Sequence, residues 1–144
     1  MAPDLKKLCL LIACLIPAAP GLADETAIGA NVSLELNATK SGEDSCTLTF
    51  MVINGHPEPI DKAVYETVLF DVGGQVDRLT LFDFGTLPPG RPRVRQFSVT
   101  GTTCEQLGQV LINGAHACAA PALSASACET GLQLSTRTEI EVTG

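Results

Sequence analysis

The sequence predicts an all-β fold, an antiparallel β-sandwich of about seven strands that follows a cleaved signal peptide. Short runs of apolar and β-branched residues recur along the chain, and Gly, Pro and Asn separate them. No stretch has a helical period long enough for a long helix. The predicted strands cover residues 32–38, 46–54, 63–71, 76–84, 91–99, 107–113 and 132–142.

The N-terminus has the order of a secretory signal. Lys6 and Lys7 precede an apolar run over residues 8–16, and small residues lead to Ala23. We expect cleavage after Ala23, so that residues 1–23 are the signal peptide, 24–31 a flexible N-terminus and 32–144 the sandwich domain. The apolar run is shorter than the about 20 residues that span a bilayer. These features predict a periplasmic or secreted protein without a transmembrane segment.

A lipid anchor is the alternative for this segment. Leu11-Ile-Ala-Cys14 resembles the lipobox of bacterial lipoproteins, which would make Cys14 the lipid-bearing N-terminus. Only residues 8–13 separate the lysines from that cysteine, and the apolar character continues to Ile16. The spacing therefore favours cleavage after Ala23.

The middle of the chain predicts a hairpin. Over residues 63–71 two sets of side chains alternate, and their β-branched and aromatic content suits a pleated, half-buried strand. One set is Val64, Glu66, Val68 and Phe70, and the other is Tyr65, Thr67, Leu69 and Asp71. Asp71-Val-Gly-Gly-Gln75 tolerates the positive φ of a tight turn, so the run over 76–84 must return antiparallel. Gly85-Thr-Leu-Pro-Pro-Gly90 then predicts a loop, because proline donates no ladder hydrogen bond.

These residues also carry a resemblance. Thr67-Val-Leu-Phe-Asp71, the following Gly-Gly, Leu87-Pro-Pro-Gly90 and Phe97 resemble the bacterial FxLYD modules, which are fibronectin-III-like, with Thr67 in place of the first Phe of the motif. The run from residue 69 to 97 is similar to a group of uncharacterised exported proteins of Gram-negative bacteria. The resemblance implies an exported β-domain and brings no catalytic residue with it.

The last strand run alternates over its whole length, with Leu132, Leu134, Ile140 and Val142 on one face. About seven short strands of this kind are typical of an immunoglobulin-like sandwich. If successive strands run up and down, the connections divide between two ends. Residues 39–45, the Gly73-Gly74 turn and residues 100–105 share one end. Residues 54–62, 85–90 and 114–131 share the other.

Four cysteines follow the signal segment, Cys46, Cys104, Cys118 and Cys128. An even number of cysteines in an exported chain predicts disulfides, and four allow three pairings. The alternation of strands places Cys46 and Cys104 at one end of the sandwich and the other two in a single loop. This arrangement favours the pairs 46–104 and 118–128.

The composition disfavours some partners. From Asp24 onward the chain has seven basic and fifteen acidic side chains, a net charge of −8. Nucleic acid and anionic membranes are bound through clustered Lys and Arg, so neither is expected as a partner. Neither histidine sits in a nucleophile motif, which disfavours a catalytic triad. We expect no enzyme activity and no cofactor.

Two groups of residues are candidates for binding. The loop over 114–131 is long and apolar, which predicts either packing onto the sandwich or a partner contact. Its candidate residues, with the facing His56-Pro57 turn, are Ala115, His116, Ala119, Pro121 and Leu123. His56, His116, Cys118 and Cys128 could instead ligate a metal, although oxidised exported cysteines make solvated histidines the favoured interpretation.

Arg91, Arg93 and Arg95 occupy alternate positions and form the only basic stripe. Phe97 shares their parity, so either a bulge lies near Gln96 or the arginines run toward the sheet edge. The stripe is expected to pair with carboxylates such as Glu66, Asp77 or Asp83, or else to contact an acidic partner.

The most consistent function is a non-enzymatic binding or accessory module of the bacterial cell envelope, with a protein partner that the sequence does not name. The alternative is a metal-binding or redox protein built on the two histidines and the two loop cysteines.

Overall fold

The computed structural model describes residues 28–144 of the chain. The predicted signal peptide and Cys14 lie outside these described residues. The described part contains eight strands and one 3₁₀ turn. They are β1 (Val32–Ser41), β2 (Ser45–Asn54), β3 (Ile60–Asp71), β4 (Val76–Leu87), β5 (Arg93–Thr100), the 3₁₀ turn (Cys104–Gln106), β6 (Leu107–Ala119), β7 (Gln133–Thr136) and β8 (Glu141–Thr143).

The strands form two four-stranded sheets that pack face to face, which confirms the all-β sandwich. The first sheet has the order β5-β2-β1-β7, and the second has the order β4-β3-β6-β8. Neighbours pair antiparallel except at one edge of each sheet, where β7 runs parallel to β1 and β8 runs parallel to β6. The sheets are therefore mixed rather than antiparallel throughout.

The core lies between the sheets and is aliphatic around an aromatic centre. Phe50 of β2 meets Phe84 of β4 edge to face, with ring centroids 5.7 Å apart. Phe82 stacks on Phe97 at 4.2 Å, which joins the edge strands β4 and β5 across the gap between the sheets. Aromatic pairs of this kind contribute about 0.5–1.5 kcal/mol beyond their buried area.

The last strand run is divided, and the prediction of one strand over 132–142 is wrong. β7 lies in the first sheet and β8 in the second, and residues 137–140 cross between them. The hydroxyls of Thr136 and Thr138 accept hydrogen bonds from the backbone N–H groups two residues later, at 3.0 and 3.1 Å. These local bonds replace ladder bonds and let the chain change sheets while its apolar side chains stay inward.

β6 is longer than predicted, because it continues to Ala119 instead of ending at residue 113. Ala115, His116 and Ala119 thus belong to a strand and not to a loop. The twelve-residue β3 offers backbone groups along its whole length, and pairing with β6 satisfies them. Three register shifts, between Val64 and Tyr65, between Glu66 and Thr67 and between Phe70 and Asp71, absorb the extra residues of β6.

The connections sort into the two predicted ends. At one end, the N–H of Gly101 donates to the carbonyl of Asp44 and the N–H of Val72 donates to the carbonyl of Gln106. At the other end, the N–H of Gly90 donates to the carbonyl of Asn54 at 2.7 Å. This second group of connections is called the loop end below.

Candidate functional site

Both disulfides have the predicted pairing. Cys46 is bonded to Cys104, which joins β2 of the first sheet to the start of the 3₁₀ turn before β6 of the second. Cys118, near the end of β6, is bonded to Cys128 in the loop that follows. The first bridge locks the two sheets together, and the second holds the loop end against β6.

Asn54 organises the loop end, although the sequence analysis did not single it out. Its side chain is fully buried and donates to the carbonyls of Glu58 and Leu87 at 2.9 and 3.0 Å. The same side chain accepts from the N–H of His56. An unpaired amide would be costly here, so these bonds keep the β2–β3 turn in one conformation.

The His56-Pro57 turn does face the long loop. The ring Nε2 of His56 lies 2.8 Å from the carbonyl oxygen of Ala127, and Pro57 is exposed. Most of the apolar residues of the loop pack onto the sandwich, because Ala120 and Leu123 lie against the core and Ala127 is buried. Pro121 remains exposed. Of the two interpretations of this loop, packing onto the sandwich thus accounts for most of its apolar residues.

A buried tyrosine ties the same loop to the core. The Tyr65 hydroxyl donates to the carbonyl of Cys128 at 2.7 Å, inside the protein. Burial raises the pKa of Tyr65 far above its ordinary value, and the nearby carboxylate of Glu129 raises this pKa further. The hydroxyl therefore stays protonated and acts as a permanent donor to the loop.

The four residues of the metal alternative do not form one cluster. Cys118 and Cys128 are bonded to each other, so they offer no thiolate. His116 lies on the outer face of β6, in the hollow formed with Glu66, Leu79 and Leu81. Within residues 28–144 no group of three or more His, Cys, Asp or Glu side chains could hold a metal ion.

The arginine stripe runs toward the sheet edge, as the second of the two interpretations has it. β5 pairs with β2 without a bulge, and Arg93 and Arg95 share the inward parity of Phe97. Arg91 precedes the strand. The expected pairing with Glu66, Asp77 or Asp83 is wrong, because the ion pairs of the described residues are Arg78 with Asp77 and Arg137 with Glu35.

Arg95 and Arg78 instead connect the two edge strands on the open side of the sandwich. Arg95 of β5 donates to the carbonyls of Phe84 and Thr86 in β4, at 2.8 and 3.2 Å. Arg78 of β4 donates in the opposite direction, to the carbonyl of Thr100, at 2.6 Å. Inward-pointing charges at an edge discourage pairing with a further strand. Arg95 of the stripe therefore has a structural role at this edge.

The outer face of the second sheet carries an apolar cluster that is separate from the core. Opposite residues of paired strands point to the same side of a sheet. Val68 of β3 lies opposite Leu79 of β4 and Leu111 of β6. Glu66 lies opposite Leu81. We call this face the outer patch and define it by Val64, Val68, Phe70, Leu79, Leu81 and Leu111.

The outer patch combines buried and exposed side chains. Val64 and Val68 are only 5 and 7 % exposed, yet neither belongs to the core cluster. Leu79, the partner of Val68, and Leu81 stand beside them on the same face of β4 and are themselves 63 and 47 % exposed. This face of β3 is therefore buried between side chains of the neighbouring strands that are open to solvent.

Acidic residues surround the patch. Asp77 and Asp83 share the outward parity of Leu79 and Leu81 on β4, and Glu141 of β8 lies opposite Gln109 of β6. Glu66 sits inside the patch, where its carboxylate accepts a hydrogen bond from Asn113 at 2.6 Å. The patch is thus an apolar surface surrounded by negatively charged side chains.

The outer patch was not predicted from the sequence, although the sequence contains a signal for it. Residues 63–71 were interpreted as a half-buried strand. Residues 64–70 and 79–84 are, however, apolar at both parities, with Val68 next to Leu69 and Leu81 next to Phe82. Such runs are typical of strands that are covered on both faces.

The sequence matches no protein-family model, and no curated protein or solved structure is similar to it beyond chance. Among residues 28–144 there is also no helix that is long and apolar enough to cross a membrane.

Proposed function

We propose that the protein is a non-enzymatic binding or accessory module of the cell envelope, exported to the periplasm or secreted, which binds a protein partner through the outer patch. The observation that supports this most directly is the pair Val64 and Val68, buried outside the core on the same face as the exposed Leu79 and Leu81. The two disulfides are consistent with an oxidising compartment.

The exposed leucines are hard to explain by folding alone. Burying a leucine side chain contributes about 1.5–3 kcal/mol, and Leu79 and Leu81 forgo much of this in the free protein. Neighbouring apolar residues on a surface framed by polar ones mark interaction sites. A partner that covers this face recovers that free energy.

At the other two candidate surfaces, the loop end and the arginine stripe, the candidate side chains make contacts within the protein. At the loop end, Leu123 and Ala120 face the core, and His56 is bonded to Ala127. On the arginine stripe, Arg95 bonds to the carbonyls of β4. The outer patch is therefore a better binding surface than either, and His116, one of the predicted binding residues, lies beside it.

Photo-crosslinking in the cell envelope tests this assignment. A photoreactive amino acid replaces Leu81, and the matched control replaces Val94, which is 59 % exposed on β5 of the other sheet. We expect a crosslink to a second protein from position 81 and none from position 94. A crosslink from Pro121 or Pro57 without one from Leu81 would place the site at the loop end and contradict the proposal.

A further inference from the structure

The dimensions of the outer patch limit what can cover it. Three strands spaced by about 4.8 Å and seven residues of about 3.3 Å each give a face of roughly 14 by 23 Å. That is about 320 Å², whereas a stable protein–protein interface takes about 800 Å² from each partner. A helix of about 10 Å diameter and about 15 residues has this length and width. The patch suits a short segment better than a second domain.

The charge around the patch argues against a second copy as that segment. In a twofold dimer the same patch faces itself, so Asp77, Asp83 and Glu141 of both copies would approach one another. Within residues 28–144, Lys62 at the start of β3 is the one lysine near this face to oppose them. Like charges facing each other disfavour the pairing, while basic residues on a different partner would be attracted.

The two aspartates of β4 also give a spacing. Asp77 and Asp83 are six residues apart on one strand, which is about 20 Å. Asp77 is paired with Arg78, but that pair is partly exposed and holds the carboxylate only weakly. Basic side chains on a bound helix would match both aspartates if they were about 13 residues apart, at 1.5 Å per residue.

We infer that the outer patch binds a short amphipathic segment of a partner protein, with its apolar side chains over Leu79 and Leu81 and Lys or Arg near both ends, opposite Asp77 and Asp83. This inference rests on the proposed function and adds the chemistry of the partner. It also explains why an apolar face is set within acidic residues, since the charges select against other acidic chains.

Titration with synthetic peptides tests the inference on the exported protein. The probe is a 15-residue peptide with leucines along one helical face and lysines at both ends. One control peptide has Glu in place of every Lys, and another has Ser in place of every Leu. We expect amide shifts, followed by NMR, on β3, β4 and β6 with the probe alone, and binding at least threefold weaker in 0.5 M NaCl, because exposed charges are screened.

Protein variants separate the two contributions. Leu81→Ser should weaken binding of the probe at least tenfold, and Asp83→Asn should weaken it about two- to fivefold. The matched control Val94→Ser should leave the affinity unchanged. Leu81 is half-exposed and lies outside the core, so its replacement leaves folding intact, and the dispersion of the amide spectrum verifies this.

Several outcomes would overturn the inference. If the Glu peptide binds as tightly as the probe, the acidic residues do not select for a basic segment. If the Ser peptide binds as tightly, the binding is non-specific charge attraction without apolar contacts. Amide shifts at the loop end would place the site elsewhere. Self-association that Leu81→Ser abolishes would make a second copy the occupant.

The crosslinking experiment distinguishes a failure of the inferred basic segment from a failure of the proposed function. A partner crosslinked at Leu81 through a segment without Lys or Arg would leave the proposed function standing and overturn the inference. The absence of a crosslink at Leu81 would contradict both the proposed function and the inference.

Discussion

The two disulfides should contribute unequally to stability, and the structure gives the expected difference. Cys46 and Cys104 are 58 residues apart, and Cys118 and Cys128 are 10 apart. With these loop lengths the chain-entropy model gives about 4.2 kcal/mol for the first bridge and about 2.7 kcal/mol for the second at 25 °C. Replacing both cysteines of a pair with Ala should therefore cost about 1.5 kcal/mol more for Cys46 and Cys104.

The burial of the four cysteines makes this comparison clean. Each bridge has one fully covered partner, Cys46 at 0 % and Cys128 at 1 % exposure. The other partners, Cys104 and Cys118, both pack partly buried against the core. The cavities left by Ala should thus cost similar amounts, and the difference between the two double variants isolates loop closure.

Urea unfolding at 25 °C measures the effect. The chain has one tyrosine and no tryptophan, so the fluorescence of the buried Tyr65 follows the unfolding of the core directly. Far-ultraviolet circular dichroism is the second probe, and coincident transitions verify two-state behaviour. If the variant without the 118–128 bridge loses as much free energy of unfolding as the other, or more, the loop-entropy reasoning is refuted for this protein.

Two further predictions concern single hydrogen bonds. Tyr65→Phe should cost about 1–3 kcal/mol in urea unfolding, because the buried carbonyl of Cys128 loses its donor, and a cost below about 0.5 kcal/mol would contradict this. The pKa of Glu35 is lowered from its ordinary 4.5, first by the hydrogen bond from Asn37 and then by Arg137. Its contribution to stability is therefore present above pH 4.5 and is lost as the pH falls below that value. Asn37→Ala should make the free energy of unfolding fall less steeply as the pH is lowered. An unchanged pH dependence would contradict the role of the Asn37–Glu35 hydrogen bond.

Much of the fold could be predicted because it depends on local periodicity and chain direction. Alternation every second residue identified most strands, and the glycines of the β3–β4 hairpin identified its turn, where Gly74 has φ 81°. Strands that run up and down then sorted the connections into two ends. That sorting sufficed to select the observed pairs, Cys46 with Cys104 and Cys118 with Cys128.

The site was predicted less well, because its parts depend on contacts between distant residues. Arg95 was expected to pair with a carboxylate, yet it donates to carbonyls of β4. No sequence pattern indicates that these carbonyls are its neighbours. His116 was assigned to a loop, yet it lies within β6, at the register shift between the pairs Val64–Ala117 and Tyr65–Ala115. Leu79 and Leu81 were taken as ordinary strand residues.

The sequence alone thus determined that the chain is a disulfide-linked β-sandwich, since side-chain parity and cysteine order are properties of the chain itself. Only the tertiary structure decided which sheet each strand joins. Parity separates the two faces of a strand but does not say which neighbours cover them. For that reason the change of sheet between Leu134 and Val142, and the position of Val68 between Leu79 and Leu111, became visible only when the strands were placed side by side.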